Sequence, residues 1–339
     1  MQTDGQKPKR LLSIGTDRLL FEPDSAVSKR FLEYGKQWDE IHVIVATDRS
    51  FRETSIGSNV WVYPTRSAAK ILYPMDAMRL GRFIIARRDI TKITCQDPFL
   101  TAMAGVSLRK GSGLPLELQV HTDIGSPNYP YSLGNKLRKA MALSHLPKAD
   151  SIRVVSDRIS QYVIETLGIS PAKIFVRPIA VDVEALKNAP ITADLRKKYP
   201  QFGKVVLMAS RLEPEKGVEL AIRSWPEVIK DIPKAGLIIV GSGSQAGKLK
   251  ALVAHLGLDH SIVFESWADQ GTLASYYKTS DLFLNTSLFE GYGMTLVEAH
   301  AAGCRIVSTD VGVAGEQGAM IVEQSPVAVA RGITDALRV

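Results

Sequence analysis

The stretch Asp281-Leu-Phe-Leu-Asn-Thr-Ser-Leu-Phe-Glu-Gly-Tyr-Gly-Met-Thr-Leu-Val-Glu-Ala-His-Ala-Ala-Gly303 decides the fold. Its opening, Asp281–Asn285, is an apolar run of strand length. A short loop leads to Glu290-Gly-Tyr-Gly293, and a helical pattern begins at about Met294. Glycines in such a turn let backbone approach a ligand closely. The N–H groups of Gly293, Met294 and Thr295 would point out of the helix start, which makes an anion site. Glu290 stands before that start and Glu298 one to two turns inside it. One carboxylate can then reach a bound sugar ring and the other ribose hydroxyls. For Glu298 a plainer reading stays open, an acidic residue favoured by the helix dipole.

Working outward, the same alternation of strand and helix fills the chain. In the first half the pattern predicts strands at Arg10–Ile14, Ile41–Ala46, Asn59–Tyr63, Thr91–Gln96, Leu116–His121, Ser151–Val155 and Lys173–Val176. In the second half it predicts Lys204–Ala209, Gly236–Val240, Ser261–Phe264, Asp281–Asn285, Arg305–Ser308 and Ala319–Val322. Helices fall between them, for example at Asp24–Gly35, Met75–Asp89, Leu133–Leu146, Val218–Lys230, Ala246–Leu256 and Val327–Leu337. This is the pattern of βαβ units on a mainly parallel sheet, with both faces covered by helices. The pattern restarts at residue 204, and the 339 residues suit two domains. The fold class expected is therefore α/β, with two Rossmann-like doubly wound domains facing across a cleft. The division expected is 1–185, a linker over 186–203 that carries Pro190 and Pro200, and 204–339.

Two further turns sit at carboxyl ends of predicted strands in the second half. In Ala209-Ser-Arg-Leu-Glu-Pro-Glu-Lys-Gly217, Arg211 follows a strand and Lys216 precedes a helix. Arg grips phosphate bidentately and Lys acts as a point charge, so the two can neutralise a diphosphate leaving group. In Leu237-Ile-Ile-Val-Gly-Ser-Gly-Ser-Gln-Ala-Gly247, Gly241 and Gly243 form a Gly-x-Gly turn. It departs from the dinucleotide fingerprint, because its third glycine is one residue late and no clear acidic residue ends the next strand. It reads as a turn near a donor nucleotide, with a purely structural turn as the alternative.

Taken in order, Ser-Arg-Leu-x-x-x-Lys-Gly, Val-Gly-Ser-Gly, Glu-Gly-Tyr-Gly-Met-x-x-x-Glu-Ala and Ala-Ala-Gly-x-x-Ile-Val resemble glycosyltransferase family 4 over about residues 204–313. The resemblance implies the two-domain GT-B fold and retaining, metal-independent transfer of a hexose or N-acetylhexosamine from a nucleotide diphosphate sugar to an acceptor hydroxyl. It implies that Arg211 and Lys216 bind the donor diphosphate. Glu290 then contacts the transferred sugar, Glu298 the ribose, and the amides of Gly293, Met294 and Thr295 sugar and phosphate. The first half matches more loosely. Leu118-Gln-Val-His-Thr-Asp123 resembles the family's strand that ends in a sugar-contacting histidine, which makes His121 the candidate. The family's glycine-rich loop after the first strand is reduced here to Gly15, a weak donor contact. The end of the chain also looks compressed, short of the helices that cross back in the family.

Charge is distributed unevenly. Residues 1–185 carry 26 Lys and Arg against 19 Asp and Glu, and residues 186–339 carry 16 of each, so the first half holds the whole excess of +7. Such asymmetry suggests a face for anionic partners. Basic segments at Arg79–Arg88 and Lys136–Lys139 read as amphipathic helices with cations on one side, suited to an anionic membrane surface that carries a lipid-linked acceptor. Solvated helix faces are the plain alternative. Nucleic acid is not an expected partner. The two cysteines, Cys95 and Cys304, offer neither a disulfide framework nor a cysteine zinc site. The start, Met1–Arg10, is polar and basic with no apolar core of a signal peptide after it, and the apolar runs stop at strand length. A cytoplasmic protein, peripheral at the inner membrane face, is expected. No metal or cofactor is expected beyond the sugar nucleotide as substrate. There is no P-loop, His-Glu-x-x-His, Gly-x-Ser-x-Gly or strand-end Asp-x-Asp. A non-catalytic sugar-nucleotide-binding relative and a sugar-nucleotide epimerase remain the alternatives.

Overall fold

The computed structural model describes residues 8–338. Residues 1–7 of the basic start, and Val339, lie outside the described residues. The chain divides into two compact units. Unit 1 runs to Gly125 and resumes over Pro130–Arg177; unit 2 holds Ser126–Tyr129 and everything from Pro178 on.

Unit 1 contains, in order, β1 (Arg10–Gly15), α1 (Ala26–Gly35), β2 (Glu40–Val45), β3 (Thr54–Ile56), β4 (Val60–Pro64), α2 (Tyr73–Ile85), β5 (Lys92–Cys95), α3 (Leu100–Ser112), β6 (Leu116–Val120), α4 (Leu133–His145), β7 (Ser151–Val154), α5 (Asp157–Glu165) and β8 (Ile174–Val176). The eight strands form one sheet in the order β3-β4-β2-β1-β5-β6-β7-β8. All its pairings are parallel except β3 with β4. Val43, Ile44, Ile93 and Leu118 are fully buried, as befits strands covered on both faces.

Unit 2 opens with α6 (Val183–Asn188) and α7 (Leu195–Lys198). There follow β9 (Lys204–Ala209), α8 (Val218–Asp231), β10 (Ala235–Val240), α9 (Ala246–His255), β11 (Ile262–Glu265), α10 (Gln270–Thr279), β12 (Leu282–Asn285), α11 (Met294–Ala301), β13 (Ile306–Thr309), β14 (Met320–Val322) and α12 (Pro326–Arg338). Its sheet is wholly parallel, in the order β11-β10-β9-β12-β13-β14. Trp225 and Val228 of α8 share one buried core with Val329, Ile333 and Leu337 of α12. Order reverses between β9 and β12, and in doubly wound sheets the carboxyl ends at that reversal are where ligands bind. The loops after these two strands carry Arg211, Lys216 and Glu290.

Three expectations need correcting. The segment 186–203 is no linker. The division falls at Arg177/Pro178, and the segment packs into unit 2. Leu195 is fully buried in the core with Val205 and Tyr277, and Leu186 packs with Ala274 and Ala301. Its prolines sit between the short helices and at the end of α7 rather than in extended chain. Second, a strand was not expected at Thr54–Ile56, which is short, largely exposed and antiparallel. Third, the exposed faces of the basic helices are not purely cationic, because apolar side chains share them. On α2, Met75, Arg79, Arg82 and Phe83 are exposed together; on α4, Leu133, Lys136, Leu137 and Arg138 are. What α4 buries is Asn135, Ala142 and His145.

Candidate active site

Backbone contacts fix the unit 2 site before any side chain is considered. Pairing of Leu282 with Val206 and Phe283 with Leu207 sets β12 beside β9, so their outgoing loops run together. Leu288 N donates to Glu215 O at 2.8 Å, and Thr286 Oγ1 donates to Gly217 O at 2.9 Å. Gly217 has φ +60°, and a Cβ there would lie 2.0 Å from Thr286 O. Only glycine allows so close a seam.

This seam joins the two halves of the predicted site. Lys216 Nζ lies 2.6 Å from Glu290 Oε1, with both side chains largely shielded from solvent. Ser287 Oγ lies 2.8 Å from Glu290 Oε1 and also 2.8 Å from Asn285 Oδ1, so its one proton serves one of them. Asn285 Nδ2 donates to Ser308 Oγ, and Thr309 Oγ1 donates to Ser287 O at 2.7 Å. A buried polar chain thus runs across the ends of β12 and β13 and holds the Glu290 loop from behind. From the β13 side, Gly312 (φ +51°) comes so close that a Cβ would meet Tyr292 O at 2.2 Å. Val313 N donates to that same oxygen. Asn285, Ser287, Thr309 and Gly312 were not singled out in the sequence. The glycine of Thr309-Asp-Val-Gly312, just past a strand, was the one available signal.

Gly293, with φ +91°, starts α11 without a side-chain cap. The first N–H groups of a helix have no intrahelical partner, so Met294 and Thr295 stand at a start suited to an anion. Glu298 lies farther along α11 and accepts from Tyr277 Oη at 3.0 Å. Burial raises its carboxyl above the ordinary range, against the pull of that hydrogen bond.

Arg211 is mostly exposed and pairs with Glu215 at 2.8 Å. The two glycines of the β10 turn have a packing reason of their own. A Cβ on Gly241 would meet Ser210 O at 1.9 Å, and one on Gly243 would meet Leu212 O at 2.4 Å. They lock the β10 turn onto the turn that carries Arg211, a bond completed by Leu212 N to Ser242 O at 2.8 Å.

The other two candidates lie in unit 1. His121 follows β6, with Nε2 3.1 Å from Gln119 Oε1. Desolvation, then the charges of Arg153 and Arg30, lower its pKa to about 4, so the ring is neutral at physiological pH. Gly15 is the buried last residue of β1, and a Cβ there would collide with the Gln96 amide oxygen at 2.2 Å. The structure therefore brings Lys216, Glu290 and the start of α11 together in one unit and stacks the Arg211 and Gly241 turns beside them.

Two family models divide the chain between them. Residues 32–185 match glycosyltransferase family 4 and residues 193–338 match the glycosyl transferases group 1. The chain belongs to the family 4 glycosyltransferases. Its relatives include an uncharacterized glycosyltransferase of Methanocaldococcus jannaschii, 27% identical over 75% of this chain and 67% of that one. A phosphatidyl-myo-inositol mannosyltransferase of Mycolicibacterium smegmatis is 27% identical over 72% of this chain and 60% of its own length. An alpha-monoglucosyldiacylglycerol synthase of Streptococcus pneumoniae is 26% identical over 64% and 51%. The matches thus span about half to two thirds of these relatives. Among solved structures, the sucrose-phosphate synthase of Thermosynechococcus elongatus shares the fold with a TM-score of 0.79, 17% identity, and coverage of 97% and 90%. Anabaena HepE, solved with UDP and glucose, does so at 0.70 with 19% identity and the same coverage. The two α/β units are those of a GT-B glycosyltransferase.

Proposed function

We propose that this family 4 glycosyltransferase moves a hexose or N-acetylhexosamine from a nucleotide diphosphate sugar to an acceptor hydroxyl with retained anomeric configuration and without a metal. The supporting observation is the Lys216–Glu290 pair at 2.6 Å, set beside the uncapped start of α11. Lys216, Arg211 and the amides of Gly293, Met294 and Thr295 take the diphosphate as the bond from C1 to its oxygen breaks. Preorganised charge of this kind stabilises the leaving group. The new bond runs from C1 to the acceptor oxygen, and the acceptor proton leaves with the diphosphate. Glu290 and, from unit 1, neutral His121 orient the sugar; Glu298 accepts from the ribose hydroxyls. Gly241, Gly243 and Gly15 shape the donor surroundings.

The acceptor proposed is a glycan or a lipid-linked acceptor, in keeping with two relatives named as a phosphatidyl-myo-inositol mannosyltransferase and an alpha-monoglucosyldiacylglycerol synthase. Among the described residues no helix is long and apolar enough to cross a membrane. The basic outer faces of α2 and α4 would serve for peripheral contact with an anionic surface on the cytoplasmic side.

The test follows a sugar-nucleotide panel by NMR, with water or glycoside acceptors and with EDTA present. The expected product carries the donor's anomeric configuration. Lys216→Ala should lower kcat/KM by roughly 10²–10³, the loss typical of removing one such electrostatic contact. Inverted product, or turnover abolished by EDTA, would overturn the mechanism. Isomerised donor without transfer would favour the epimerase.

A further inference from the structure

A cavity of about 580 Å³ opens in unit 1, between the loops that leave the carboxyl ends of β1 and β2. This volume is in the range of small-molecule sites, and that end of a doubly wound sheet is where ligands bind. Phe21 and Phe51 form one wall, their rings 4.9 Å apart and tilted by 53°. Arg18 is fixed at its edge. The guanidinium lies 5.6 Å over the Phe51 ring, donates to Tyr73 Oη at 3.0 Å and to Ala46 O, and pairs with Asp48 at 3.5 Å. Asp17 is already used, accepting from Leu19 N to cap the turn at Arg18–Phe21. Glu22 and Glu53 also line the space, and no hydrogen bond or ion pair engages their side chains among the described residues.

The charge of this lining runs against that of its surroundings. Asp17, Glu22 and Glu53 face Arg18 and Arg52, and Arg18 is already balanced by Asp48. The cavity is therefore slightly acidic within the half of the chain that holds the entire positive excess. With one net negative charge, the lining offers a phosphate or carboxylate group no net attraction. An aromatic wall beside free carboxylates suits a different ligand. The C–H face of a sugar ring is apolar and faintly positive, so it packs on the negative face of an aromatic ring. Neighbouring hydroxyls donate to an ionised carboxylate, which only accepts.

We propose that this cavity binds a neutral, unphosphorylated sugar ring belonging to the acceptor, with Phe21 and Phe51 against its C–H face and Glu22 and Glu53 accepting from its hydroxyls. The word acceptor rests on the function proposed above; the binding of a neutral sugar does not.

The test is saturation-transfer NMR on the full chain, using methyl glycosides of glucose, mannose, galactose and N-acetylglucosamine and their 6-phosphates. At least one neutral glycoside should receive saturation, mainly at ring C–H protons. Phe51→Ala should weaken that binding at least tenfold and Phe51→Tyr should keep it. The double variant Glu22→Gln, Glu53→Gln gives a second reading that leaves the aromatic wall intact and should weaken binding too. No transfer to any neutral glycoside, tighter binding of a 6-phosphate than of its parent sugar, or unchanged binding in both Phe51→Ala and the double variant overturns the proposal. Thermal stabilisation by nucleotide diphosphates, measured on the same variants, keeps the two readings apart. It should be unaffected by the cavity substitutions. If it is absent from the parent chain while glycosides still bind, the donor reading fails and the cavity assignment stands.

Discussion

At the scale of single residues, the site depends on a few groups that are costly for the fold. Glu298 is held in α11 with its carboxyl raised by burial. A carboxyl whose folded pKa exceeds its unfolded value burdens the folded state wherever the group is charged, and costs nothing where both states are protonated. Glu298→Gln should therefore raise the melting temperature at neutral pH. That gain should disappear as pH falls below the ordinary value of 4.5. Donor binding should weaken in the same variant. A calorimetric pH series checks the first effect and nucleotide titration the second. Gly217 makes the opposite case. With φ +60° and Thr286 O where a Cβ would sit, Gly217→Ala must open the seam that places Lys216 against Glu290. A loss of at least about 1 kcal/mol is expected from the left-handed backbone alone, together with loss of turnover. Chemical denaturation would show it. Legibility at this scale was uneven. Lys216, Glu290 and Gly293 announce themselves because charge, glycine and a strand end coincide in sequence. Ser287, Asn285 and Thr309 do not, because ordinary polar residues acquire their role only when β12 and β13 lie side by side. Gly241 and Gly243 were noticed for a ligand, yet their geometry is already explained by backbone against backbone.

At the scale of elements, hydrophobic runs located most strands to within a residue or two, since a strand buried on both faces is apolar throughout. Thr54–Ile56 escaped because three residues at a sheet edge, two of them polar, carry no such run. The segment 186–203 was misread because prolines and charges suggested a connector. Leu186, Leu195 and Phe202 are nonetheless buried, while Ile191 stays exposed. Helix orientation was the least legible feature. The α4 sequence reads as an amphipathic helix, but the structure leaves Leu133 at 83% and Leu137 at 64% exposure beside Lys136 and Arg138. Apolar and cationic residues on one outer face match the headgroup boundary of an anionic bilayer. The expected outcome is sedimentation of the chain with phosphatidylglycerol vesicles but not with phosphatidylcholine ones. Leu133→Glu with Leu137→Glu should release it without lowering the melting temperature, because neither side chain is packed. Equal sedimentation of that variant would remove α4 from the contact.

At the scale of the whole molecule, the two α/β units differ in charge. Unit 2, where the second half of the sequence is electrically balanced, gathers Arg211, Lys216, Glu290 and the start of α11 at the reversal of its sheet. Unit 1 holds the basic excess, His121 and the cavity beside Phe21 and Phe51. The two buried thiols, Cys95 in one unit and Cys304 in the other, are both pushed up by burial, Cys304 to about 11, and belong to packing rather than chemistry. The central claim is that unit 2 binds a nucleotide diphosphate sugar through Lys216 and Arg211. The direct test is thermal stabilisation of the parent chain, Lys216→Ala and Arg211→Ala by a panel of nucleotide diphosphates and their sugars. A ligand at 100 times its Kd should add about 2.7 kcal/mol to the stability of the parent. One base should stand out in the parent, with a much smaller shift in both variants. If no member of the panel shifts the parent, or the variants respond as the parent does, the donor site is not where these residues stand.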